Sequence, residues 1–196
     1  MKKPLPQVFM ILMSQNPVSM YYRGRVEESW RQRGFTLDFI EAVTPENMHK
    51  ERRMNFRMKE SGRNVRAFTE TEKCVWLSHR KAWKLASQKT GPIIIIEHDV
   101  ELIKPIKSTV FSDTCKMMGL CHVKRSNGQM TTTAGGAYYI TKRVARQMYD
   151  RSGTMRIVTN SDAYIHEKID EHGAEWNVSY CQQILEPSIG TTIEHG

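Results

Sequence analysis

Four consecutive isoleucines at 93–96, preceded by Gly91-Pro92 and followed by Glu97-His98-Asp99, constrain this chain more than any other stretch. Four β-branched residues without polar alternation read as a strand covered on both faces, and such strands belong to sheets flanked by helices. A second run, Val8-Phe9-Met10-Ile11-Leu12-Met13, meets a loop at Ser14-Gln15-Asn16-Pro17 and reads the same way. A helix over 19–33 follows, with Tyr22, Val26, Ser29 or Trp30, and Arg33 on one side and Gly34 as its stop; a strand over 35–43 then completes a βαβ opening.

The remaining elements continue the alternation. Val75, His79, Ala82 and Ala86 recur at helical spacing within 70–89, strands are expected at 115–123 and 136–140 around a polar loop at 124–133, and Thr141 caps a helix over 142–150. Asn160 or Ser161 caps another helix reaching His172, and an alternating strand over 175–181 closes the pattern. The sum is an α/β fold with a mostly parallel central sheet flanked by helices, and residues 1–196, without repeat or linker, read as one domain.

Basic residues number 29 against 21 acidic, a net charge of +8, which favours an anionic partner: a nucleotide, a nucleic acid or an acidic membrane surface. The excess concentrates at 46–66, where Lys50, Arg52, Arg53, Arg57, Lys59, Arg63 and Arg66 stand against Glu46, Glu51 and Glu60. That segment reads as exposed helix or loop, either a phosphate-attracting surface or a solvated face. No apolar run approaches the roughly 20 residues of a membrane span, and no secretory segment follows Met1-Lys2-Lys3-Pro4. The expectation is a cytoplasmic protein without integral membrane association. Cys74, Cys115, Cys121 and Cys181 lack paired CxxC spacing and read as reduced thiols; Cys115, Cys121 and His122 lie in an apolar stretch that suits burial better than metal binding.

Ligands of open α/β sheets bind beyond the carboxyl ends of strands, and Glu97 and Asp99 fall there. Alternate positions on an extended chain point the same way, so the two carboxylates address one site while His98 faces elsewhere. A hard divalent cation is the usual compensator for such a pair; the plainer alternative is a strand end turning polar in water. Two other patterns carry no chemistry. His166 and His172 lie six apart, about 600° around a helix, and form no HExxH site. Trp76 and Trp83, seven apart, read as packing residues rather than a sugar platform.

Thr71-Glu72-Lys73-Cys74-Val75-Trp76-Leu77-Ser78-His79, then Ala82-Trp83, then the isoleucine strand into Glu97-His98-Asp99-Val100, resemble glycosyltransferase family 25. There, a helix bearing a Leu-Ser-His step precedes an apolar strand ending in Glu-Asp-Asp-Val. Glu41-Ala42-Val43-Thr44, Thr133-Ala134-Gly135-Gly136-Ala137-Tyr138-Tyr139-Ile140-Thr141 and Asn160-Ser161-Asp162 are similar to further family blocks in the same order. The resemblance implies a GT-A-like nucleotide-sugar fold and a UDP-sugar donor. It also implies a divalent metal, Mn²⁺ before Mg²⁺, bridging the diphosphate to the acidic motif.

Carried over by residue, Asp99 is the metal ligand and Glu97 its neighbour contacting metal or donor sugar. Asp162 is the base that deprotonates the acceptor hydroxyl in an inverting reaction. His79, Val43, Gly135 and Gly136 fall in the donor region, as do Ser14, Asn16 and Arg23 after the first strand, and His195 is a further candidate metal ligand. The family's middle aspartate is His98 here. The acceptor implied is a bacterial surface glycan such as lipooligosaccharide, while the basic segment suits hydroxymethylated bases of phage DNA. The reading from another class is a non-catalytic nucleic-acid-binding protein on a degenerate transferase fold, with His98 as its mark of decay.

Overall fold

The computed structural model describes residues 5–51, 54–61, 64–111, 114–124, 129–172 and 176–184. In chain order the strands are β1 (Gln7–Leu12), β2 (Leu37–Glu41), β3 (Asn55–Phe56), β4 (Lys59–Ser61), β5 (Asn64–Arg66), β6 (Ile93–Glu97), β7 (Val100–Leu102), β8 (Met117–Lys124), β9 (Met130–Thr132), β10 (Ala137–Ile140), β11 (Arg156–Ile157) and β12 (Trp176–Gln183). The helices are α1 (Pro17–Arg31), α2 (Glu70–Ala86), α3 (Lys142–Ser152) and α4 (Ser161–Glu171). None is long and apolar enough to cross a membrane among the described residues.

Local chemistry explains the boundaries. Asn16 accepts from the Ser19 amide (3.0 Å) and Pro17 opens α1; Gly34 follows at φ +84°, which only glycine adopts without strain. Thr69 and Glu72 form a reciprocal capping box on α2. Asn160, not Ser161, caps α4 by accepting from the Ala163 amide, while Thr141 stands at the cap position of α3 without a capping side-chain bond.

The main sheet runs β2-β1-β6-β10-β8-β12-β7, with β9 on β8. Its pairings are mixed, not mostly parallel. β1 pairs parallel with β2 and β6, and β12 with β8, but β10 lies antiparallel between β6 and β8, and β7 and β9 pair antiparallel as well. A run of buried apolar residues reports two covered faces; it does not report the direction of its neighbours, which is why the sequence misleads here. Segment 46–66 also departs from expectation: it holds a 3₁₀ turn at Met48–Lys50, β3 paired with β11, and a β4–β5 hairpin.

Strand alternation divides the core in two. Phe9, Ile11, Ile93 and Ile95 pack with Trp76, Trp83 and residues of α3 and α4 on one face. Val8, Met10, Ile94 and Ile96 pack with Tyr22, Val26 and Trp30 of α1 on the other. Trp76 and Trp83 are fully buried, as packing residues should be.

The connection between β6 and β7 shapes the sheet. Only His98 and Asp99 separate two strands that lie four places apart in the strand order. In a flat sheet these strands would stand about 19 Å apart, whereas two residues reach across about 11 Å at most. The sheet therefore curls on itself, with His98 and Asp99 at the seam. Gly119 shows how tightly the curl is packed, because a Cβ there would lie 2.5 Å from the Trp176 ring. Gly119→Ala is expected to cost about 1–3 kcal/mol in urea denaturation, since ring and strand must separate.

Candidate active site

The carboxyl ends of β1, β2 and β6 share one edge, and the antiparallel β10 begins there, so the 133–136 loop arrives beside Glu97. The Glu97 amide donates to the Gly136 carbonyl (2.9 Å), closing this junction. Glu97 points toward α2, where His79 Nε2 lies 3.3 Å from its Oε1. Burial is the largest influence on Glu97 and opposes its charge, but the His79 hydrogen bond together with the nearby His79 and His98 rings holds the carboxyl below the usual range.

Asp99 differs. Its Oδ2 accepts from Gln183 Nε2 (2.9 Å) and its carbonyl from the Ile184 amide (2.8 Å), whereas its buried Oδ1 has no hydrogen-bond partner. Burial and then the neighbouring Glu97 charge push its pKa up to about 7, against the Gln183 bond. Asp162, in the first turn of α4, accepts the Gly135 amide at Oδ1 (2.8 Å), and its charge also reaches Asp99. A Cβ on Gly135 would overlap this Asp162 oxygen and stand 3.5 Å from His79 Nε2. Glu97, Asp99, Asp162, His79, Gly135 and Gly136 are thus gathered at one place.

His98 is elsewhere. It is 7% exposed, its ring 6.3 Å from that of Tyr22 on the α1 side, and burial pushes its pKa down. Residues 98 and 99 form a turn rather than the extended strand that the expected alternation requires.

The other predicted donor residues are engaged locally at the same edge. Ser14 donates its amide to Glu41 Oε1 (3.1 Å), and the Asn16 side chain caps α1. Arg23 lies over the Phe39 ring (4.3 Å) and pairs with Glu27 (3.5 Å). Val43 is buried and donates its amide to Ser78 Oγ (2.8 Å), which itself donates to the Cys74 carbonyl. His195 lies outside the described residues. Among those residues, no group of three or more His, Cys, Asp or Glu side chains is arranged to hold a metal ion.

Three supporting residues escape a sequence reading: Tyr138, Trp83 and Gln183. Trp83 Nε1 donates to Tyr138 Oη (2.8 Å), which lies 3.0 Å from His79 Nδ1. The four-residue spacing of His79 and Trp83 is a usable signal, since it puts both on one helix face. Nothing local to Gln183 announces its role.

The chain belongs to glycosyltransferase family 25, described as LPS biosynthesis proteins, whose model matches residues 20–118. No curated protein matches it in sequence. Among solved structures, a mutant of Drosophila β-1,4-galactosyltransferase 7 in complex with manganese, UDP-Gal and xylobiose is similar at TM-score 0.50 and 8% identity, over 94% of this chain and 73% of that one. A glycosyltransferase involved in glycosylation of the major capsid of PBCV-1 gives TM-score 0.42 and 11% identity, over 92% and 93% of the two chains. The inositol-1-phosphate CTP transferase of T. maritima gives 0.42 and 11%, over 98% and 94%. Only the first likeness bears on the fold.

Two outcomes follow from the geometry. The raised Asp99 pKa means the fold favours the protonated acid: that contribution is complete below the unfolded value near 4 and is lost as pH rises through about 7. Asp99→Asn should therefore raise the melting temperature of the metal-free protein at about pH 8, the gain shrinking toward about pH 4. Gly135→Ala should displace Asp162, read as loss of sugar transfer in a protein whose circular dichroism is unchanged.

Proposed function

We propose that this protein transfers a sugar from a UDP-sugar to a hydroxyl acceptor, with inversion, through the Glu97/Asp99/Asp162 edge. The observation that carries the reading is the unpartnered, buried Asp99 Oδ1 beside a carboxyl held ionised. Once ionised, an oxygen buried there without a donor is costly, and a cation is what a carboxylate pair at a strand end most readily takes.

Asp99 would hold Mn²⁺, or Mg²⁺ in its place, with Glu97 next to it, since hard divalent cations take carboxylate oxygens. When bound, the ion would neutralise charge gathering on the departing diphosphate. The Drosophila galactosyltransferase, whose structure contains manganese and UDP-Gal, supports this choice of donor and metal. The protein's own residues do the remainder: Glu97 orients donor or metal, Gly135 and Gly136 let the backbone come close to sugar or phosphate, and Asp162 takes the proton of the attacking hydroxyl.

The acceptor is a lipopolysaccharide-type surface glycan, in keeping with the family's description, and the setting is the cytoplasm. The non-catalytic reading is weakened, because Glu97, Asp99 and Asp162 remain gathered at one edge although His98 stands between the first two. Labelled UDP-sugar, Mn²⁺ and either lipooligosaccharide or hydroxymethylated duplex DNA decide the matter. Label is expected on the glycan and falls at least about a hundredfold in folded Asp99→Asn. Label on the DNA would replace the acceptor, and no labelling of either, with no affinity for UDP plus Mn²⁺, would end the transferase reading.

A further inference from the structure

We propose that Tyr138 is a positioning residue for this site: held by Trp83, its hydroxyl fixes the tautomer of His79 and so the orientation of Glu97. The reaction served rests on the transferase reading above; the arrangement itself does not.

The argument is a count of donors. Trp83 Nε1 is a donor only, so across 2.8 Å it must give its proton to Tyr138 Oη. Tyr138 is fully buried, so its own hydroxyl proton needs an acceptor inside the protein. His79 Nδ1 stands at 3.0 Å to receive it. A nitrogen that accepts there carries no proton, which leaves the proton on Nε2, the nitrogen 3.3 Å from Glu97 Oε1. A charged imidazole would point an N–H at Tyr138 and strand the phenol proton. Burial also pushes the Tyr138 pKa well up, so the phenol keeps its proton.

Each link runs one way: indole N–H to phenol oxygen, phenol O–H to Nδ1, Nε2–H to carboxylate. The first two are deep in the core, and the last is at the rim, where Glu97 is 18% exposed. Glu97 Oε1 is thereby engaged, and the carboxylate is held in a single orientation at the strand end. Without the phenol donor at Nδ1, the ring could carry its proton there instead, aim a lone pair at Glu97 and let the carboxylate swing. The stacked ring of Trp83, 6.3 Å from that of His79, keeps the imidazole from turning over.

Isotope-labelled histidine NMR of the full chain reads the tautomer directly. His79 is expected as the Nε2–H form in the wild type and as a mixture in Tyr138→Phe, with affinity for UDP-sugar plus Mn²⁺ reduced about 10–100-fold, as for other partners that orient ligands. In the His79→Gln background, where an amide replaces the ring and has no tautomer to set, Tyr138→Phe should cost nothing further in donor affinity. A wild-type His79 that is Nδ1–H or doubly protonated overturns the proposal, even if Tyr138→Phe fails to fold. So does a folded Tyr138→Phe with the native tautomer and native affinity. A wild-type Nε2–H tautomer in a protein that binds no nucleotide sugar supports the arrangement and removes the transferase reading instead.

Discussion

Two residues, His98 and Asp99, tie the end of β6 to β7 on the far side of the strand order, and the rest of the structure accommodates that short tether. The chain cannot span a flat five-strand width with two residues, so β10, β8 and β12 curl between them. The curl brings the end of β12 to the seam, where Gln183 reaches the Asp99 carboxylate. It also presses Trp176 against Gly119, a contact that excludes any side chain larger than hydrogen. A site at the seam is formed by closure of the sheet itself, not by loops added to a finished scaffold.

Helix α2 supplies the second organising element through adjacent residues with separate tasks. Ser78 receives the Val43 amide and so anchors the chain just after β2. His79, about 100° further around the helix, meets Tyr138 and Glu97. One helix therefore sets the distance between the ends of β2 and β6. The three carboxylates at the edge are unlike in consequence: Glu97 is hydrogen-bonded and held ionised, Asp99 is raised and left with an orphan oxygen, and Asp162 is fixed to a backbone amide. Environments that separate otherwise similar acids are what allow them separate roles.

Much of this was legible in the residues. The apolar runs at β1 and β6, the Gly34 stop and the Glu97/Asp99 pair follow from period, backbone freedom and the cost of burying charge. The antiparallel direction of β10 was not legible, because its buried AYYI carries no mark of which way its neighbours run. The short strands at 55–56 and 156–157 pair across a hundred residues, beyond any local signal. Gln183 was invisible for the same reason: its partner lies 84 positions away. Asn16 and Arg23 were polar residues in the right neighbourhood, yet helix capping and an aromatic ring claim them, and polarity alone does not distinguish those uses.

The direction of His98 has a consequence for how such proteins are found. Its ring lies beside Tyr22 of α1, so the middle letter of the acidic triplet borders a helix interface. A pattern search that insists on three acidic letters would pass over this chain while Glu97 and Asp99 stand in place. Kinship is better judged from those outer two letters together with His79, which meets the first of them.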